Sequence, residues 1–139
     1  ERINLISSIT NQGKVRFMIY KSTMNAKTFI KFLKRLIKDA NQKIFLILDN
    51  LRVHHAYVVK DWLENHKDEI ELFFLPSYSP ELNPDEYLNC DLKAGVHSGV
   101  SARTKDQLKK KAISYMRMLQ KKPKRVKKYF KHPKIAYAA

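Results

Sequence analysis

One stretch of the sequence, IFLILDN at residues 44–50, limits the possible folds more than any other feature. Its five apolar residues are enough for a strand buried on both faces and too few for a helix of ordinary length. Asp49 follows directly, where such a strand passes into its loop. Because ligands of open α/β sheets bind beyond the carboxyl ends of the strands, we predict that Asp49 is a functional residue.

The segments that precede this strand predict a hairpin and a helix. Residues 2–10 and 14–21 have the composition of strands, and Gly13 between them supplies the positive φ that a short hairpin loop needs. Asn25 is the expected N-cap of a helix over residues 26–40, because apolar side chains recur there at helical spacing.

The segments that follow Asp49 extend the same pattern. We predict a short amphipathic helix over residues 56–66 and a mostly interior strand over residues 70–75. Asn83 and Pro84 fit the N-cap and the first residue of a further helix. With the helices at the C-terminus, the order β-β-α-β-α-β predicts an α/β fold with a mixed sheet.

Length and charge indicate one domain with a polyanionic partner. A chain of 139 residues is expected to form a single domain over residues 1–139. Lys and Arg number 28 against 13 acidic residues, which gives a net charge of +15 and favours nucleic acid over a membrane surface. Residues 103–134 hold half of the basic side chains and a single acid, Asp106, so a basic helical region is predicted there.

Several classes of protein are excluded by what the sequence lacks. Cys90 is the only cysteine, so neither an internal disulfide nor a cysteine zinc cluster can form. No apolar run approaches the roughly 20 residues that span a bilayer, and residue 1 is not followed by the apolar region of a signal peptide. We therefore expect a soluble, cytoplasmic protein without a membrane partner.

A second acid, Glu86, stands near the start of the helix that follows Pro84. Its position three residues after Asn83 also fits a capping box, and Asp49 also fits an Asx-turn, so both acids have structural alternatives. If the two carboxylates meet at one sheet edge, they repel each other unless a cation lies between them. Oxygen ligands suit Mg²⁺ or Mn²⁺, and two such ions about 4 Å apart would hold a phosphodiester for in-line displacement.

The basic side chains are candidates for binding the phosphates of such a substrate. His54 and His55 follow Asp49 closely and fit either a phosphate contact or a solvated helix entry. The basic C-terminal residues fit either a polyanion contact or a solvated helix face. The predicted DNA-binding residues are Arg52, His54, Lys109, Lys110, Lys121, Lys124, Arg125, Lys127 and Lys128.

Two segments, ILDNLRVHH at residues 47–55 and FFLPSYSPELNPDEYLN at residues 73–89, resemble the DDE-superfamily transposases of insertion sequences, in the branch allied to mariner elements. In that family an Asp-Asn pair at a strand end supplies the second catalytic acid, and a loop-helix motif supplies the third. The resemblance therefore implies that Asp49 and Glu86 are catalytic and metal-binding. Two positions depart from the family pattern: Asp85 replaces the usual Ile, and Asn89 stands where a Trp is common.

The resemblance implies a ribonuclease-H-like α/β core and a prokaryotic enzyme that cuts and joins DNA. Its cofactor would be Mg²⁺ or Mn²⁺, with two ions in the complete site, and its partners would be transposon ends and target DNA. Two alternatives stay open, namely a derived module that binds nucleic acid without cutting it and a ribonuclease that acts on RNA–DNA hybrids.

The resemblance also implies that the chain is a fragment of a transposase catalytic domain. The family's first Asp lies on a strand before the hairpin, and Glu1 is an unsuitable substitute for it. Without that central strand the sheet would have two exposed edges. We therefore expect a homodimer formed by strand pairing or by swapping.

Overall fold

A computed structural model describes residues 3–99 and 101–139, so Glu1 lies outside the described residues. The chain divides into two compact units. We call residues 22–83 the central unit, and residues 1–21 together with 84–139 the terminal unit. That residues 1–139 form a single domain stays a prediction.

The predicted order of strands and helices is confirmed. The elements are β1 (Asn4–Ile9), β2 (Val15–Tyr20), α1 (Ala26–Lys38), β3 (Ile44–Leu48), α2 (Tyr57–Glu64), β4 (Ile70–Phe74), α3 (Asp85–Val96), α4 (Lys105–Gln120) and α5 (Pro123–Lys128). Short 3₁₀ turns cover Arg52–His55, Pro80–Leu82, Tyr129–Lys131 and Pro133–Ala138. Among the described residues no helix is both long and apolar enough to cross a membrane.

The strands form two small sheets instead of one. In the terminal unit β1 and β2 pair antiparallel, from Asn4 opposite Tyr20 to Ile9 opposite Val15. In the central unit β3 and β4 pair parallel, and the helix α2 between them is the crossover that parallel strands require. The mixed α/β class is thus confirmed, and within the described residues each sheet has two strands.

The helix α1 supplies much of the buried core of the central unit. The side chain of Asn25 accepts a hydrogen bond from the backbone N–H of Thr28 at 2.8 Å, so the predicted N-cap is confirmed. Phe29, Phe32 and Leu33 lie on the inward face and are at most 2% exposed. Burial of these large apolar side chains is the main source of stability for this unit.

The prediction that β3 is buried on both faces is wrong. Phe45 is 63% exposed and Ile47 is 39% exposed, while Leu48 is buried. Phe73 and Phe74 on β4 are also exposed, against the prediction of an interior strand. Since successive side chains point to opposite faces, the apolar run is long enough to cover both faces but only one of them is packed.

The terminal unit is built around a helical core that holds the hairpin. Val15 on β2 joins Leu88, Met116 and Leu119 from the helices in one buried cluster. The side-chain amide of Gln120 donates to the carbonyl of Val15 at 3.0 Å and so ties α4 to β2. The hairpin loop has Gly13 at a φ of +89°, as predicted, and a Cβ there would collide with Pro123.

Candidate catalytic site

Asp49 lies just beyond the carboxyl end of β3, where the sequence placed it. Its carboxylate is half-buried, and Oδ1 accepts a hydrogen bond from the side-chain amide of Asn83 at 3.2 Å. In the described residues no further hydrogen bond is made to Oδ2. Asn83 therefore fixes one oxygen of Asp49 and leaves the other for a ligand.

This contact corrects the predicted role of Asn83. The helix α3 begins at Asp85 with Pro84 as its N-cap, and no side chain caps it. The prediction that Asn83 is the N-cap is wrong, because its amide is turned toward Asp49. The capping-box alternative for Glu86, which required an Asn83 cap, falls with it.

A second amide, Asn50, links the end of β3 to the loop that follows β4. Its side-chain N–H₂ donates to the hydroxyl of Ser77 at 3.3 Å. Its carbonyl oxygen accepts a hydrogen bond from Nε2 of His55. Asn50 and Asn83 together hold residues 77–83 against the strand end that carries Asp49.

His54 supports the backbone of Asp49. It is 8% exposed, and its Nδ1–H donates to the carbonyl of Asp49 at 2.8 Å, while its ring packs 4.5 Å from that of Phe29. Burial lowers the pKa of His54 and keeps the ring neutral, although the hydrogen bond to Asp49 acts in the opposite direction. These contacts favour a structural role over the predicted contact with DNA.

Glu86 lies in the first turn of α3, in the terminal unit, and is half-buried. Its neighbour Asp85 accepts hydrogen bonds from the hydroxyl of Ser7 at 2.8 Å to both carboxylate oxygens. Asp85 therefore joins α3 to β1. Because Asp49 belongs to the central unit, each acid is described within its own unit.

Most of the predicted DNA-binding side chains are exposed. They are Arg52, Lys109, Lys110, Lys121, Lys124, Arg125, Lys127 and Lys128. Arg125 differs from the others because it forms an ion pair with Asp91 at 3.5 Å and donates to the hydroxyl of Tyr115 at 2.8 Å. Tyr129 also donates to Asp91, and burial together with this hydrogen bond raises the pKa of Tyr129. The side chain of Arg125 is thus part of the contacts between α3, α4 and α5.

The oxygens at the strand end fit a hard divalent cation. Within residues 3–99 and 101–139 no three His, Cys, Asp or Glu side chains lie close enough together to hold a metal ion. The carboxylate of Asp49 is the ionised oxygen donor at the end of β3, and the adjacent groups are amides and a hydroxyl. Such a donor set suits Mg²⁺ or Mn²⁺ and does not suit zinc.

The sequence had shown the acids but not the amides that position them. Asn50 follows Asp49 directly and Asn83 lies in a proline-rich loop, so polar side chains at a strand end were the available signal. That signal did not distinguish a long-range hydrogen bond from a local cap. The structure makes the distinction through the contact of Asn83 with Asp49.

The α/β core, with an acid at the end of a parallel strand, defines a protein of the ribonuclease-H-like class. The DDE superfamily endonucleases match residues 1–109. The chain therefore belongs to the DDE superfamily endonuclease family, and the resemblance in its motifs is confirmed. No curated protein matches the sequence.

Solved structures of a mariner transposase share the fold. The catalytic domain of Mos1 mariner transposase has a TM-score of 0.64 at 16% identity, over 99% of this chain and 79% of that one. The Mos1 mariner paired end complex with Mn has a TM-score of 0.65 at 19% identity, over 96% of this chain and 43% of that one. The Mos1 strand transfer complex has a TM-score of 0.62 at 20% identity, over 98% and 42%. At these identities the likeness shows the fold alone.

Proposed function

We propose that the chain is the catalytic part of a DNA transposase of an insertion sequence, and that it cuts and joins DNA in a prokaryotic cytoplasm. The observation that carries the proposal is the carboxylate of Asp49 at the end of β3, held at one oxygen by Asn83 from the loop that leads to Glu86. The match to the DDE superfamily endonucleases supports the same chemistry.

The metal would be Mg²⁺ or Mn²⁺, with two ions in the complete site. Structures of the Mos1 catalytic domain with raltegravir contain Mg or Mn. Asp49 and Glu86 would hold the ions, which would supply the positive charge that stabilises an in-line displacement at phosphorus. Asn83 and His54 would keep the Asp49 carboxylate and backbone in place during that step.

The covalent chain supports the proposal that the two acids act together. Glu86 follows Asn83 by three residues, and consecutive Cα atoms are 3.8 Å apart, so the Cα atoms of these two residues lie within about 11 Å. Because Asn83 contacts Asp49, the third acid of the family motif starts from an anchored point.

Substrate phosphates would be bound by the exposed basic residues. Among these, Arg52 follows the strand end of Asp49 by three residues, and the remainder lie on α4, on α5 and between them. Each cation that contacts a phosphate releases a counterion, so the affinity is expected to fall steeply with salt.

The test is a DNA-nicking assay on transposon-end duplexes with the intact protein that contains this chain. We expect Mg²⁺-dependent nicking that Asp49→Asn and Glu86→Gln each abolish. Glu81→Gln is the matched control, because Glu81 is an exposed acid in the same loop-helix segment. Nicking that survives both substitutions contradicts the assignment.

A second function, a module that binds nucleic acid without cutting it, is favoured by the absence of a cluster of three acids in the part of the chain that the structure describes. This function predicts salt-sensitive DNA binding that persists in EDTA and is unchanged by Asp49→Asn. A loss of binding in EDTA favours the first proposal.

We also propose a homodimer that pairs through β3. The N–H of Ile44 and the carbonyl of Leu48 bond to the segment that contains β4, so by alternation the backbone groups of Phe45 and Ile47 point to the other edge. An exposed apolar edge is a site for pairing. Sedimentation is expected to show a dimer that Ile47→Lys disrupts, and a monomer at every concentration contradicts the proposal.

A further inference from the structure

Tyr78 combines full exposure with a strained backbone. Its side chain is 101% exposed, the highest value among the exposed large hydrophobic residues that the structure describes. Its φ is +57°, in the left-handed region that residues other than glycine seldom adopt. Neither property stabilises the folded chain, so a functional explanation is required.

The backbone on both sides of Tyr78 is held in place. The hydroxyl of Ser77 accepts a hydrogen bond from Asn50, and the hydroxyl of Ser79 donates to the carbonyl of Ser77 at 3.3 Å. The N–H of Leu82 donates to the carbonyl of Ser79 at 3.1 Å. The anchor of this loop is thus the residue that directly follows Asp49.

Other exposed aromatic residues lack this combination. Tyr57 is 83% exposed, but it lies in the regular helix α2. Phe45 and Phe73 lie on the exposed face of the sheet, with extended strand backbones and ring centroids 6.1 Å apart. Tyr78 is therefore distinguished by a loop that presents a single ring to solvent beside the catalytic strand end.

An unstacked nucleobase is the ligand that this arrangement fits. A flat ring with both faces open to solvent binds a base by stacking, whatever the base sequence. Arg52 is exposed on the turn that follows Asn50, so a cation for the adjoining phosphate is provided by the same strand end. A base in a paired duplex is already stacked on both sides, so the ring requires an unpaired base.

We propose that Tyr78 stacks on an unpaired base of the DNA strand that is bound at Asp49. This inference rests on the proposed function, because it requires DNA as the substrate. Asn50 and Ser77 act as positioning residues, since they hold the loop and do not contact the base.

The test uses two DNA duplexes, one fully paired and one with a single unpaired 2-aminopurine. Stacking on the ring should quench the 2-aminopurine fluorescence on binding. Tyr78→Ala should weaken binding of the unpaired duplex about 5- to 150-fold, the range for one base stacked on an aromatic ring, and leave the paired duplex unchanged. Tyr78→Phe should retain both the quenching and the affinity.

The control is Tyr57→Ala, which removes an exposed ring of the same unit and should change neither duplex. The proposal is overturned if Tyr78→Ala affects both duplexes equally or neither of them. A change in the oligomeric state of Tyr78→Ala would also overturn it, by assigning the ring to a protein interface. If the parent chain binds neither duplex, the proposed function itself fails.

Discussion

Replacing Asn83 tests the geometry of the site most sharply. The Asn83 amide lies 3.2 Å from Oδ1 of Asp49, at the long end of the hydrogen-bond range, and both side chains are half-buried. A hydrogen bond to a charged group contributes about 1.5–3 kcal/mol, and this length favours the lower value. We therefore expect Asn83→Ala to lower the free energy of unfolding by about 1.5 kcal/mol.

Asn83→Asp gives a larger effect that depends on metal. It would place a second carboxylate beside Asp49, and two unit charges 3.2 Å apart repel by about 1 kcal/mol in water and about 5 kcal/mol at an effective dielectric constant of 20. Because a divalent cation between two carboxylates removes this repulsion, Mn²⁺ should stabilise Asn83→Asp more than it stabilises the parent chain.

The assay is urea unfolding of the parent, Asn83→Ala and Asn83→Asp, each with and without Mn²⁺. Asn41→Asp is the control, because Asn41 is an exposed turn residue and the same charge change there should cost little. The reasoning is refuted if Asn83→Asp matches Asn41→Asp in stability and in its response to Mn²⁺.

Three further predictions concern other residues. Tyr78→Gly relieves a positive φ and should cost no stability in urea unfolding, whereas a marked loss would show that the loop is not strained. Burial lowers the pKa of His54 below its ordinary 6.5, so the unfolded chain takes up a proton more readily and stability should fall as pH drops from about 7 to 5. His54→Asn keeps a donor for the Asp49 carbonyl and should flatten this dependence, and an unchanged slope would contradict it. In binding assays across a salt series, replacing the exposed lysines of the C-terminal region with Gln should reduce the salt slope by up to about 3.6, against little change for the same replacement on α1. The two sets are Lys121, Lys124, Lys127 and Lys128, and, as the control, Lys27, Lys31, Lys34 and Lys38, all of them exposed.

The elements whose sequence pattern is local were predicted well. Gly13 and the alternating residues of β2 indicated the hairpin, and Asn25 marked the start of α1 within one residue. In each case the physical cause lies within a few residues of the effect, such as a positive φ or a capped N–H group.

The features that depend on distant residues were missed. Asn83 has the composition of a helix cap, and only the folded chain shows that its amide reaches Asp49, 34 residues away. The apolar run of β3 indicated a strand correctly, but it carried no information on whether anything covers Phe45 and Ile47. Packing on a face is a property of the partner elements and not of the strand itself.

The most direct test of the central claim is a Mn²⁺ titration followed by ¹³C NMR of the side-chain carboxyl groups. If Asp49 and Glu86 hold the same ions, both carboxyl signals should broaden together, and Glu86→Gln should weaken the broadening of Asp49. The exposed Glu64 is the reference for weak surface binding. Broadening of Asp49 that Glu86→Gln leaves unchanged would contradict a shared metal site.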